Sequence, residues 1–392
     1  MYNKDFVTRR TSRNYRLFKD KPPLLRHLDI ELTERCNNNC LHCYINLPLD
    51  DLNALNNELT TDQWKDILKQ AADLGALSVR FTGGEPLLRN DFEDLYLYTR
   101  RLGMKVIIFT NARLITKDLA NLFTKIPPLK KIEISAYGMH PKTYVSVVRV
   151  PGAYNEFKKG INNLIERQIP FMVKSTLLPP NTAEIDEYEK WATSINGSAD
   201  NLPYAIFLDL RTRRDSNTKN KIIRSLRLSP EDGVSFLSRN ETVYKGGMAR
   251  FVAKYMHPTG DKLFTCGAGE SGCVDAYGNY QMCMMLRHPD TVYDLTKGTI
   301  REALLEAFPR YYDFRAKNPD YLERCARCFI KGLCEQCPAK SWSEHGTLDT
   351  PVEYYCQVAH EQARILGLIS NSEKAWEVSN WEKRIDKLIK QN

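Results

Sequence analysis

Six β-rich runs between residues 28 and 210 are separated by stretches with apolar residues at helical spacing, and few architectures accept that pattern. The runs LDIEL (28–32), SVRFT (78–82), KVIIFT (105–110), KIEIS (131–135), FMVKSTL (171–177) and YAIFLDL (204–210) read as strands. Between them, TTDQWKDILKQAADLG, DFEDLYLYTRRLG, TKDLANLFTKI, AYNEFKKGINNLIERQ and EIDEYEKWATSI read as helices, several with an acidic or Thr start and a Gly stop. Such alternation predicts an α/β fold: a parallel sheet with helices outside, open or curled into an incomplete barrel. In these sheets ligands gather at the carboxyl ends of the strands. Functional residues should therefore follow strands. Cys36 follows the first, Gly83-Gly84-Glu85-Pro86 the second and Thr110-Asn111 the third, and Ser135 closes the fourth.

The alternation stops near Leu228. A polar helical stretch then runs to about Lys262, a Gly- and Cys-rich segment follows, and the tail SEKAWEVSNWEKRIDKLIKQN reads as an amphipathic helix whose Trp376 and Trp381 dock on the body. The 392 residues divide accordingly into an N-terminal extension (1–24), a first domain (25–230), a helical linker (231–262), a cysteine-rich domain (263–365) and a C-terminal helix (366–392). Hydrophobic residues at 42% and charged residues at 27% are ordinary for a globular chain. The first residues hold no signal-like apolar run, and no segment approaches the roughly 18 apolar residues of a membrane span, so a cytoplasmic protein with no membrane partner is expected. The net charge of +8 is widely spread. Its densest stretch, RTRRDSNTKNKIIRSLR (211–227), lacks the interleaved aromatics of a stacking platform, and a solvated face rather than a nucleic-acid site is expected there.

Eleven cysteines are many for a reducing compartment, where disulfides do not persist, and metal binding becomes the leading explanation. They fall in two groups: Cys36, Cys40 and Cys43, then Cys266, Cys273, Cys283, Cys325, Cys328, Cys334, Cys337 and Cys356. In CNNNCLHC, the C-x3-C-x2-C triplet can hold three corners of an iron-sulfur cubane and leave the fourth iron open. The alternatives are a zinc site completed by His42 or a distant ligand, or reduced thiols without metal. The four cysteines from 325 to 337 could alone form a zinc ribbon, but the eight later thiols also divide into two closed sets of four.

With the triplet after the first strand and GGEP after the second, the chain resembles the radical S-adenosylmethionine (radical SAM) superfamily. The resemblance implies a partial (β/α)6 barrel in which SAM chelates the open iron of a 4Fe-4S cluster held by Cys36, Cys40 and Cys43. One electron then cleaves SAM to methionine and a 5'-deoxyadenosyl radical that abstracts a substrate hydrogen. On matching positions, Gly83, Gly84, Glu85 and Pro86 would receive the SAM amino group, Asn111 and Ser135 would line its methionine and ribose, and His42 would lie near the adenine. Arg149 and Lys174 are further candidate partners of its carboxylate. The electron would come from a flavodoxin or ferredoxin.

The later cysteines, with Gly278-x4-Cys283, look like the SPASM domain, which carries two auxiliary 4Fe-4S clusters. Its pattern would ligate the first with Cys266, Cys273, Cys283 and Cys337, and the second with Cys325, Cys328, Cys334 and Cys356. The chain departs from that pattern at Cys334-x2-Cys337, where three intervening residues are usual. Three, four and four ligands use every thiol. No cysteine then remains to quench a substrate radical, so net oxidation is expected rather than epimerisation. SPASM enzymes mostly modify peptides, and the expected activity is oxidative modification or cross-linking of a ribosomally made peptide. The alternative is radical oxidation or rearrangement of a small molecule such as a sugar. Sulfatase-maturing relatives carry an Asp after the Cys of the G-x4-C run, where this chain has Met284; Asp209, at the end of the sixth run, is the candidate base. Only 35 residues precede Cys36, so a peptide substrate is expected to need a separate leader-recognition protein or a direct contact.

Overall fold

The computed structural model describes residues 25–197, 202–266, 268–334 and 337–391. The predicted extension, 1–24, lies outside the described residues. Six strands, β1 (His27–Thr33), β2 (Ser78–Gly83), β3 (Lys105–Thr110), β4 (Ile132–Ser135), β5 (Phe171–Thr176) and β6 (Tyr204–Ala205), lie side by side in chain order, all parallel. The longer helices between them are α1 (Thr61–Asp73), α2 (Phe92–Arg101), α3 (Lys117–Lys125), α4 (Pro141–Val148), α5 (Ala153–Ile165) and α6 (Ile185–Asn196). Helix α1 starts at a full capping box, Thr60 with Gln63, which satisfies donors that a bare helix end leaves unpaired. Helix α4 was not anticipated: its HPKTYVSVV segment starts on a proline, which suits the first helical position but reads as loop beside the preceding YGM.

Alternate strand residues have opposite fates. Ile30, Val79, Phe81, Val106, Ile108, Ile132, Ile134 and Val173 are buried in one core with Trp64, Leu68, Leu95, Tyr96, Phe123 and Leu164 from the helices. The other face carries charge. Asp29 pairs in register with Arg80 and bonds it at 2.7 Å, Glu133 holds Lys174, and the Arg80 and Lys174 cations stand 4.5 and 5.3 Å from the Phe109 ring centre. That face is therefore polar.

The sixth strand is much shorter than the predicted 204–210. Only Tyr204 and Ala205 find partners, Ser175 and Thr176, because β5 gives way to a 3-10 turn opened by Pro179 and Pro180. Prolines cannot donate to a ladder, and residues 206–210 lose their neighbour.

The sheet also grows at the other edge. A hairpin from the cysteine-rich segment, β7 (Cys273–Val274) and β8 (Asn279–Gln281), with β9 (Val292–Asp294), adds three strands: β7 runs parallel to β1 with Asp29 opposite Cys273, and β8 and β9 follow antiparallel. Asp275 closes the turn by accepting from the backbone N–H groups of Tyr277 and Asn279, both at 3.0 Å. A buried network ties this hairpin to β1. Arg287 bonds Glu31 and reaches Glu34 at 2.6 Å, Arg213 also bonds Glu34, and the Tyr277 hydroxyl donates to Glu34 at 2.8 Å.

Further helices, α7 (Asn217–Ser225), α8 (Pro230–Leu237), α9 (Glu241–Tyr255), α10 (Pro338–His345), α11 (Glu353–Ile365) and α12 (Trp381–Gln391), include those around a second core containing Val252, Phe329, Ile330, Ala359, Ala363, Ile385 and Leu388. The tail docks as its aromatics suggested: Trp381 stacks on Phe329 at 6.1 Å, and Trp376 meets the His360 ring edge-on at 5.4 Å. Among the described residues no helix is long and apolar enough to cross a membrane.

Glu31 is fully buried, and burial lifts its carboxyl from the ordinary 4.5 to about 7 even though Arg287 beside it pulls the other way; Asp29 and Asp275 add to the rise. A folded-state value above the unfolded one means that the native protein holds an extra proton between about pH 4.5 and 7, so its stability should fall as pH rises through that window. The expected loss is on the order of 2–3 kcal/mol. Denaturant midpoints measured at pH 5.5 and 8 should differ in wild type and differ by clearly less in E31Q; equal pH dependence in the two proteins would refute the assignment.

Candidate active site

The first cysteine triplet sits where β1 runs out. Arg35 and Cys36 pair briefly with Leu47 and Pro48, which closes the loop on itself. Two helix carbonyls anchor it: the N–H groups of Asn39 and Leu41 donate to Val148 and Val147 at the end of α4, at 3.0 and 3.1 Å. Arg113 bonds the Asn37 carbonyl and the Asn38 side chain, the latter at 2.7 Å. Arg211, 1% exposed, donates to the Cys43 carbonyl at 3.0 Å and is held by Asp215 at 2.6 and 2.9 Å.

The GGEP turn explains its own glycines. A Cβ at Gly83 or Gly84 would run into the carbonyls of Thr33 or Arg35, and the Gly84 and Glu85 N–H groups donate to those same carbonyls at 2.7 and 2.9 Å. Gly83 also needs a φ of +130°, which a side chain disfavours. Glu85 is fully buried. Its carboxylate accepts from the Thr110 hydroxyl at 2.8 Å, the Asn111 N–H at 2.8 Å and the Leu87 N–H at 3.2 Å, and burial lifts it to about 7. It braces the second and third strand ends together, and Pro86 opens a short turn behind it.

The other expected contacts are placed as follows. Asn111 donates to Asn37 at 2.7 Å and points at the Cys36 sulfur at 3.8 Å. Ser135 ends β4 and bonds Tyr137, whose ring meets His42 edge-on at 4.8 Å. Among the described residues the buried Nδ1 of His42 has no hydrogen-bond partner, and burial lowers its pKa to about 4, so the ring is neutral. Arg149 is exposed and caps α4 in a left-handed conformation, next to the carbonyls that anchor the triplet. Lys174 is held by Glu133 on the polar face of the sheet.

The later cysteines form two gatherings. Cys266, Cys283 and Cys337 line one cavity of about 380 Å³ with Asp209, Tyr255, His257, Met285, Lys331 and Lys340. Asp209 is fixed there by the Tyr355 hydroxyl at 2.6 Å. Cys325, Cys328, Cys334 and Cys356 line a second, smaller site with Arg324, Lys331, His360 and Trp376. Arg324 and His360 approach the Cys356 sulfur, each at 3.7 Å, and Lys331, nearly fully buried, is held at 2.5 Å from the Thr259 hydroxyl. Cys273 stands elsewhere, on β7, beside Glu31, Asp29 and Arg287. The Tyr44 ring links the triplet to the first gathering, since it follows Cys43 and its hydroxyl contacts the Met284 sulfur at 3.8 Å. Among the described residues no three His, Cys, Asp or Glu side chains close on a single metal ion.

Arg211, Arg287 and Tyr44 had no sequence signal. Arg211 belongs to a basic stretch that reads as solvated surface, yet Arg211, Arg213, Arg224 and Arg227 are all engaged in ion pairs with Asp215, Glu34 or Glu344.

Comparison with known proteins agrees with this geometry. Residues 30–192 match the radical SAM superfamily model. The chain is 28% identical to an AdoMet-dependent heme synthase of Methanosarcina barkeri over 81% of this chain and 92% of that one. It is 45% identical to a PqqA peptide cyclase of Streptomyces rochei over 92 residues, 24% of each chain. The fold resembles Streptococcus suis SuiB bound to its precursor peptide SuiA, with a TM-score of 0.59 at 18% identity over 85% of this chain and 76% of that one. Motif, sheet and family match converge, and the chain is an enzyme of the radical SAM superfamily, whose members use SAM and a 4Fe-4S cluster.

Proposed function

We propose that this enzyme oxidises a ribosomally made peptide, removing two hydrogens to form a new bond. In this reading residues 25–230 are the radical SAM core and residues 263–365 the SPASM domain. The observation that carries it is the cavity that Cys266, Cys283 and Cys337 share with Asp209: potential cluster ligands and a carboxylate face one space large enough for a substrate side chain.

The triplet fits a cluster. Burial and mutual repulsion push the Cys36 and Cys40 thiols well up, so three thiolates can coexist there only beside a strong positive charge. Around the second gathering Arg324 and Lys331 supply positive charge that four thiolates would need. Bound at these thiols, the cofactors supply one-electron cleavage of SAM to methionine and a 5'-deoxyadenosyl radical, abstraction of a substrate hydrogen, and an acceptor for the electron that the substrate returns.

The chain's own residues do the rest. Backbone carbonyls at Gly83 and Gly84 would receive the SAM amino group, with Glu85 as the brace that holds them. Asn111 and Ser135 would line its methionine and ribose, the neutral His42 its adenine, and Arg149 or Lys174 its carboxylate. Asp209, oriented by Tyr355, would take the substrate proton as the electron leaves. Hydrogen atom, proton and electron together make the two-hydrogen oxidation. A flavodoxin or ferredoxin is the proposed electron donor, and a separate leader-binding protein a proposed partner. Oxidation of a small molecule is the second reading, favoured by the heme synthase relative that aligns along nearly its whole length.

Anaerobic incubation with SAM, a reductant and the peptide encoded beside the gene should give a product about two mass units lighter, with 5'-deoxyadenosine formed in equal amount. An unchanged peptide alongside a consumed tetrapyrrole would instead select the small-molecule reading. Replacing Cys36, Cys40 and Cys43 together by Ala should remove about four irons per chain and abolish 5'-deoxyadenosine. D209N should still cleave SAM while product falls roughly 100-fold or more; unchanged product formation would exclude Asp209 as the base.

A further inference from the structure

The C-terminal tail reaches the second gathering of thiols. Trp376 lines that site together with Cys325, Cys328, Cys334 and Cys356. Its ring lies under the Arg324 guanidinium, 4.9 Å from the ring centre, and meets the His360 ring edge-on at 5.4 Å. Both of these partners face Cys356. Arg324 Nη2 stands 3.7 Å from the Cys356 sulfur, within the longer reach of a sulfur acceptor, while its Nη1 is held at 2.6 Å by Glu353, three residues earlier on α11. Arg324 Nε is buried and bonds nothing among the described residues, so the guanidinium has a donor to spare for a charged sulfur. The tautomer of His360 follows from its partners. The Ala375 N–H can only donate, and it does so to Nε2 at 3.2 Å, so Nδ1 carries the proton. Nδ1 then donates to the Cys356 carbonyl at 2.8 Å and passes the sulfur at 3.7 Å. Arg384 pins the same stretch of tail, bonding Glu373 at 2.6 and 2.7 Å and the Leu368 carbonyl at 3.0 Å.

Resting on the cluster reading given above, we infer that the C-terminal tail sets the reduction potential of the cluster held by Cys325, Cys328, Cys334 and Cys356. Trp376 positions the Arg324 guanidinium on the Cys356 thiolate, and Ala375 holds His360 in the tautomer that donates beside it. Reduction adds negative charge at such a site, which a cation and N–H donors at a ligand sulfur stabilise, so these contacts raise the potential. Glu353 opposes the cation, but its side chain is 60% exposed against 23% for Arg324, and water screens it the more. The triplet is furnished differently. Cys36 meets neutral donors, the Asn38 N–H at 3.4 Å and the Asn111 amide at 3.8 Å. A raised potential makes the second site the better holder of the electron that the substrate gives up.

Midpoints read by EPR during a redox titration test this without turnover. In the Cys36/Cys40/Cys43 triple Ala variant, reconstituted anaerobically to about eight irons per chain, two midpoints are expected, and the one lost in C328A belongs to the second site. Added to that variant, W376A and R324M should each lower this midpoint and leave the other in place, and W376F should keep most of the original value. W376A acts through Arg324, so W376A and R324M together should lower it no further than R324M alone. An unchanged midpoint, or an equal fall in both midpoints, would overturn the inference and leave the clusters standing. Loss of the second site's irons from W376A would make the tail a scaffold for the ligands and overturn it too; if R324M alone sheds them, W376A against W376F decides. A triple Ala variant well short of eight irons would instead sink the cluster reading, and the inference with it.

Discussion

The mouth of the sheet depends on how closely β1 and β2 run out together. Two carbonyls at and just past the end of β1, Thr33 and Arg35, accept from the backbone of the GGEP turn, and no side chain fits between. This contact has two consequences. It sets the height at which Cys36 leaves the sheet, and it puts the turn beside the first thiol. Glu85 then passes the constraint on to β3, because its buried carboxylate accepts from both Thr110 and Asn111. Asn111 in turn reaches Asn37 and the Cys36 sulfur. The strand ends and the cysteine loop are therefore one hydrogen-bonded unit, the kind of preorganised support that a reactive site needs.

A second layer of buried charge joins this unit to the cysteine-rich segment. Arg211 holds the loop from outside through Cys43 and Asn46, and Arg287 reaches across to Glu31 on β1 and Glu34 just past it. Buried pairs of this kind contribute less to stability than to specificity, since losing either partner strands a charge. Their placement fits that role. They fix which edge of the sheet receives β7, and so where Cys266, Cys283 and Cys337 come to lie relative to the triplet.

Strand-helix alternation was legible because each element was long and its apolar period clean; all five helices read between the strands are present within a few residues of their predicted bounds. The thiol triplet and GGEP were legible because both are short, contiguous and tied to strand ends. Strands β7 to β9 were not, since two or three residues cannot display a period, and their pairing with β1 is a long-range event. The sixth strand was over-read for a related reason: Ile206, Leu208 and Leu210 alternate and are buried, but by side-chain packing rather than by a ladder. Arg211 and Arg287 stayed hidden because a basic residue in sequence looks solvated, and only the fold reveals the carboxylates waiting for it.

Counting thiols makes a case for oxidation only if every cysteine is a ligand. Position gives a second argument against a hydrogen-donating cysteine, independent of that count. A donor has to reach the substrate radical. Among the described residues Cys273 is fully buried near Glu31, Asp29 and Arg287, and the thiols that line the cavity with Asp209 are those of Cys266, Cys283 and Cys337. The groups that do reach that space are a carboxylate, which can take a proton, and thiols suited to a redox centre, which can take an electron. Geometry therefore favours withdrawal of proton and electron over return of a hydrogen atom, and it does so on where the residues stand rather than on how many there are.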